Sequence, residues 1–92
     1  MNISMQFFAQ IRRATGTESD QLELDSGADT LALLKTAAHR YGPDFSALVV
    51  DENGSLRPSV ILLVNGLPAP RDGSHILQDG DQVSLLSAVA GG

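Results

Sequence analysis

Five aliphatic residues in a row, Val60-Ile61-Leu62-Leu63-Val64, run into the dipeptide Asn65-Gly66. No other stretch restricts the fold as much. Strand side chains alternate between two faces, so a continuous apolar run of this length predicts a central strand with apolar side chains on both faces. Asn65-Gly66 predicts a tight turn directly after it.

The neighbouring segments supply the rest of a sheet and its cover. Residues 2–8 (NISMQFF) alternate, with Ile3, Met5 and Phe7 on one face and Asn2, Ser4 and Gln6 on the other. Phe8 breaks the alternation by being apolar on the polar side. Arg12, Arg13, Thr15 and Gly16 predict a loop. Residues 18–24 (ESDQLEL) predict a more polar strand with Leu22 and Leu24 inward, which makes a hairpin with the first. Asp29 or Thr30 is placed to cap a helix whose stripe is Leu31, Leu34, Ala38 and Tyr41, widened by Leu33 and Ala37. Gly42 supplies its C-terminal left-handed residue and Pro43 stops it. In residues 43–59, Phe45, Leu48 and Val49 are apolar anchors and Asp51-Glu52-Asn53-Gly54 is a turn. Pro68, Pro70, Asp72 and Gly73 predict irregular chain, Asp79-Gly80-Asp81 a turn, and Gln82–Ser87 a last strand with Val83 and Leu85 inward.

The resulting order, β-β-α-β followed by short pieces and a final β, is a small α+β sheet with its helix on one face. A last strand placed beside the first in the centre gives the β-grasp arrangement, a mixed sheet with one face uncovered. The expected division is a folded domain over 1–86 and a flexible, extended tail over 87–92. That tail holds about six residues, enough to reach roughly 20 Å.

Composition narrows the function. A net charge of −5, with only six Lys and Arg among 92 residues, lacks the basic stripe that nucleic acid requires. An acidic surface points towards a partner with a basic face. The absence of cysteine excludes thiol catalysis and suits a cytoplasmic protein. No apolar run is long enough to span a membrane, and the first residues lack a signal-peptide pattern.

Few side chains suggest chemistry of their own. Asp79 and Asp81 lack the remaining ligands of a calcium loop, so they read as turn residues and no metal is expected. His39 sits at a helix end and His75 in a loop, without paired ligand spacing. Asp20, Glu23, Asp25 and Asp29 read as solvated surface. The apolar residues on the wrong parity say more. Phe8, Leu63 and Leu86 point away from the helix if Phe7, Leu62 and Leu85 point towards it, and an exposed apolar patch is a partner surface. The competing expectation is that residues 43–59 fold over that face.

FFAQIRRATG, the helix, VNG, LQDGDQVSLL and the terminal AVAGG together resemble the ThiS/MoaD-type sulfur carriers. By motif the chain is most similar to the small subunit of molybdopterin synthase. The resemblance implies the ubiquitin-like β-grasp fold and a carrier with no active site of its own. It implies that an E1-like adenylyltransferase uses ATP to adenylate Gly92, that sulfur displaces AMP to leave a thiocarboxylate, and that a second enzyme takes the sulfur. That enzyme would be the molybdopterin synthase large subunit, in molybdenum cofactor biosynthesis. No cofactor is held permanently. Gly91, Ala90 and Val89 would thread the partners' channels. Leu86 stands at an interface position that is aromatic in close relatives, Phe8 and Arg12 match others near the first strand, and Leu67 after the VNG turn is a further match. Ser87-Ala88 departs from the two prolines common in the family, and the 43–59 and 66–76 regions are longer. The acceptor therefore stays open between molybdopterin, cysteine, thiamine and other sulfur metabolites. The same activated carboxylate would also serve a ubiquitin-like protein modifier that forms isopeptide bonds.

Overall fold

The computed structural model describes residues 1–87. Their elements are β1 (Asn2–Phe7), α1 (Ala9–Thr15), β2 (Ser19–Glu23), α2 (Thr30–Tyr41), α3 (Pro43–Val49), β3 (Val60–Val64), β4 (Leu67–Pro68) and β5 (Gln82–Ser87). The strands form one sheet in the order β2-β1-β5-β3-β4. β1 and β5 are parallel and every other pair is antiparallel. A parallel pair in the middle of an otherwise antiparallel sheet, with helices between them in sequence, is the ubiquitin-like β-grasp. The last strand does lie beside the first.

Period-two burial defines the covered face. Ile3, Met5 and Phe7 of β1, Leu22 of β2, Val60, Leu62 and Val64 of β3, and Val83 and Leu85 of β5 are all buried. Ile11 of α1, Leu33, Leu34 and Ala37 of α2, and Phe45 and Val49 of α3 complete the core. Phe7, Tyr41 and Phe45 meet there, with ring centroids 5.3 to 6.2 Å apart and Phe7 edge-on to both partners. Three of the four aromatic residues are thus used inside, and only Phe8 is left for the surface.

The helices depart most from the sequence expectations. Residues 9–15 form α1 where a loop is predicted. Only Ile11 of that helix is buried, so its seven residues carry no apolar stripe, and Gly16 closes it at φ 77°. Asp29 caps α2 as expected, accepting from Ala32 N–H at 2.8 Å. The buried side of α2 is Thr30, Leu33, Leu34 and Ala37, whereas Leu31 is 44% exposed. The expected stripe is rotated because α3 and the strand face claim the Leu33–Ala37 side. Gly42 has positive φ but extended ψ (86°, −164°), outside the left-handed helical region expected for it. It turns the chain straight into a new helix, with Pro43 in its first turn, where a missing N–H costs nothing. Pro43 therefore starts α3 as well as stopping α2.

β3 is flanked by β5 on one side and by only two residues of β4 on the other. Its outward residues Ile61 and Leu63 are half-buried, so only one of its faces belongs to the core. The exposed edge of β3 is closed by other means. Ala69 N–H reaches Leu62 O at 3.4 Å, and the Arg71 guanidinium donates to Val60 O at 2.8 Å and Arg57 O at 2.6 Å. Pro68 and Pro70 have no N–H to give, so a side chain supplies the donor.

The two turn motifs prove to be one structure. Asn65 (φ 53°) and Gly66 (φ 83°) make the β3–β4 turn. Asn65 Nδ2 donates to Asp81 Oδ1 at 2.9 Å, and its Oδ1 accepts from Gln82 N–H at 3.0 Å. Asp81 Oδ2 accepts from Gln78 N–H, and Asp79 Oδ1 from Asn2 N–H. Together they tie the same ends of β1, β3 and β5.

Candidate functional site

The sheet face opposite the helices is uncovered, and register fixes what lies on it. Leu86 pairs with Ile61, Leu63 sits between Ser84 and Pro68, and Ser84 is level with Gln6. Ile61, Leu63, Leu86 and Pro68 make an apolar half, and Ser4, Gln6, Gln82 and Ser84 a polar half. The 43–59 segment, the expected cover, packs through α3 on the helix side instead. α3 packs against α1 and α2, and Val50, Asn53 and Gly54 line a groove with Leu31, Leu34 and Ala38 of α2. Leu63 and Leu86 thus point away from the helices, as their parity predicts, and are half-buried there.

Phe8 belongs to the same rim. β1 ends at Phe7, and Phe8 is an extended residue (φ −127°, ψ 150°) that stands at the N-terminus of α1 and is 45% exposed. Its N–H donates to Leu85 O at 3.2 Å, so the parallel register continued one step sets Phe8 beside Leu86. Ala9 follows at φ 52°, a conformation uncommon for a residue with a Cβ. That sharp turn lets α1 fold back over the sheet edge while Phe8 stays outside.

Arg12 lies one helical turn from Phe8, and its Nη1 meets Glu18 Oε1 at 2.9 Å. Both side chains are exposed, so the pair contributes little to stability but fixes the arginine beside the shallow groove lined by Gln6, Phe8 and Ser19. Leu67 does not join these residues. It pairs with Val64, whose side chain is buried on the helix side, so Leu67 faces away from the Leu86 side. It is 70% exposed and lines a separate groove of about 350 Å³ with Pro70, His75 and Ile76. The expected partner set thus divides into Leu86, Phe8 and Arg12 at one rim and Leu67 elsewhere. Val89, Ala90, Gly91 and Gly92 lie outside the described residues.

Two members of the uncovered face, Ile61 and Pro68, are absent from the sequence-derived set. Ile61 was findable, since it shares the parity of Leu63 within the same run. Pro68 had no signal, because the two-residue β4 leaves no periodicity to read.

The titratable groups with shifted protonation hold parts of the fold together. The Tyr41 hydroxyl donates to Asp20 Oδ2, and Arg40 Nε meets the same oxygen at 2.9 Å. The tyrosine hydrogen bond, with help from Arg40, holds the Asp20 carboxyl below the usual range, while burial and the aspartate push the Tyr41 hydroxyl up. The Gln78 amide and the Asn65 side chain likewise hold Asp81 down. No group of three or more His, Asp or Glu side chains able to hold a metal occurs among the described residues. No helix among them is long and apolar enough to cross a membrane.

Comparison with known proteins adds to this geometry. The model of the ThiS family matches residues 5–92. Small archaeal modifier protein 3 of Haloferax volcanii is 33% identical over 94 residues, covering all of both chains. The crystal structure of SAMP1 from the same organism superposes with a TM-score of 0.89 over the whole of both chains, at 23% identity, which is a likeness of fold. A Pyrococcus furiosus chain described as molybdopterin converting factor, subunit 1, superposes with a TM-score of 0.79 at 26% identity, covering 97% of this chain and 99% of that one.

Proposed function

Since this chain belongs to the ThiS family, we propose that it is a sulfur carrier whose reacting group is the carboxylate of Gly92. A carboxylate resists attack because its oxygen is a poor leaving group. An E1-like adenylyltransferase overcomes this by joining the carboxylate to the AMP part of ATP, with release of pyrophosphate. A sulfur nucleophile at the sulfide level then attacks the carbonyl carbon, the C–S bond forms, and AMP leaves with the electron pair of the broken C–O bond. The thiocarboxylate sulfur bonds to an acceptor on a second enzyme. Water then attacks the acyl carbon, the C–S bond breaks with sulfur left on the acceptor, and the chain returns to the first enzyme as the carboxylate. The chain is a co-substrate that works in the cytoplasm. The acceptor of our reading is the molybdopterin precursor, held by the molybdopterin synthase large subunit.

One observation carries this reading. β5, the strand that leads into the tail, lies in the middle of the sheet and ends beside Leu86 and Phe8 on the uncovered face. A partner docked on that face would receive the tail directly, through Val89, Ala90 and Gly91.

A second reading, the protein modifier, is favoured by the full-length similarity to small archaeal modifier protein 3. It shares the adenylate and differs only in the nucleophile, a lysine amine in place of sulfur. Intact mass measurement separates the outcomes. Incubated with the E1-like enzyme of the same organism, ATP and sulfide, the chain should gain the mass of one sulfur replacing one oxygen at Gly92. Recovery of Gly92-linked lysines and no thiocarboxylate would favour the modifier, and absence of both products and of an AMP adduct would sink both readings.

A further inference from the structure

Charge is unevenly distributed along the sheet. β1 and β5 run parallel, so the rim where β5 ends at Ser87 also holds the β1–α1 junction. Through the Gln6–Ser19 and Val60–Ser87 pairs it holds the starts of β2 and β3 as well. Arg12 and Arg13 of α1, Arg57 just before β3, and Arg71 bonded to Val60 O all cluster here, four of the six Lys and Arg. The opposite rim carries Glu23 level with Asn2, and Asp79 and Asp81 in the turn before β5.

These arginines differ in what occupies them. Arg12 is neutralised by Glu18, but among the described residues Arg13, Arg57 and Arg71 have no carboxylate partner. Arg71 is held by its two carbonyl bonds, so its charge is fixed in place beside the strand end. Arg57 Nε is buried and has no acceptor. A buried donor without a partner costs free energy, so the Arg57 side chain gains from a rearrangement that turns it towards an acceptor.

We infer that Arg57 and Arg71, with Arg13 on the other side of β5, form a cationic collar round the tail's exit that receives carboxylates of the E1-like partner at the mouth of the channel. The inference rests on the carrier reading above. Protein carboxylates fit better than nucleotide phosphates for a reason of reach. Adenylation would take place at Gly92, five residues beyond Ser87, and a tail drawn out into a partner's channel would carry that carboxylate up to roughly 17 Å away. Phosphates at that distance are out of the collar's range, whereas side chains at the channel mouth are not. Carboxylates also match the arginine fork. On a chain of net charge −5, an acidic mouth attracts only this rim and repels the opposite one, which orients the encounter. The expectation of a basic-faced partner is thereby reversed at the exit.

The test uses the full chain and the E1-like adenylyltransferase of the same organism, with adenylation followed by ATP–pyrophosphate exchange. Arg57→Glu should raise KM for the chain about tenfold at low salt and leave kcat nearly unchanged. Arg57→Lys should restore most of the loss. Salt should raise the wild-type KM more steeply than that of the variant. Arg13→Glu, at an exposed position of α1, provides the same reading should the Arg57 variant fail to fold. Unchanged KM and salt slope in folded variants of an active system would overturn the collar and leave the carrier reading standing. An inactive wild type would overturn the carrier reading and the collar with it.

Discussion

At the scale of the residue, Gly73 and Gly54 show how differently two glycines are used. Both have positive φ, 81° and 80°. A Cβ at Gly54 would meet nothing within 4 Å, but one at Gly73 would stand 2.8 Å from Leu31 Cβ, where the 66–76 segment crosses α2. Gly54→Ala should cost about 1 kcal/mol from backbone strain alone, and Gly73→Ala about 3 kcal/mol from strain plus overpacking. Urea unfolding measures both, and equal losses would remove the close contact from the account. Such a contact joins residues 42 positions apart and leaves no trace in either local pattern. The capping role of Asp29 and the turn at Asn65-Gly66 were legible, because each depends on residues within a few positions. That Asn65 also binds Asp81 was not, since each motif read alone is only a turn.

Elements were legible in proportion to their own periodicity. β1 and β5 declare themselves by alternation, β3 by its continuous apolar run, and α2 by its stripe and cap. α1 and α3 have seven residues each, with one and two buried side chains, too few for a period to show. Their stability comes from packing on Phe7, Ile11 and Phe45, which only the assembled sheet supplies. The parity of Phe8, Leu63 and Leu86 was the most informative local signal, because an uncovered face imposes the same alternation as a covered one. It also gives a test on a single strand. Leu86→Asp should leave the fold intact and weaken docking to the adenylating enzyme about tenfold, as loss of a central apolar contact does. Leu85→Asp, one residue earlier and fully buried, should unfold the chain. Circular dichroism and binding titration together distinguish these outcomes. A Leu86→Asp protein that binds like wild type would remove the uncovered face from the docking surface.

For the whole molecule, the β-grasp places the strand that precedes the tail in the centre of the sheet, where neighbours on both sides hold its direction. The helices and the aromatic cluster lie away from the uncovered face, so that face is open to a partner. The fold was legible from the order of elements. The family was legible from the motifs FFAQIRRATG, VNG and LQDGDQVSLL taken with the AVAGG stretch, and the matching family model bears that out. The central claim is that the carboxylate of Gly92 is the reacting group. Comparing wild type with a chain lacking Gly92, in ATP–pyrophosphate exchange with the adenylating enzyme, tests it most directly. The account predicts robust exchange with wild type and none above background with the shortened chain, while both fold and bind. Equal exchange from the two would contradict it.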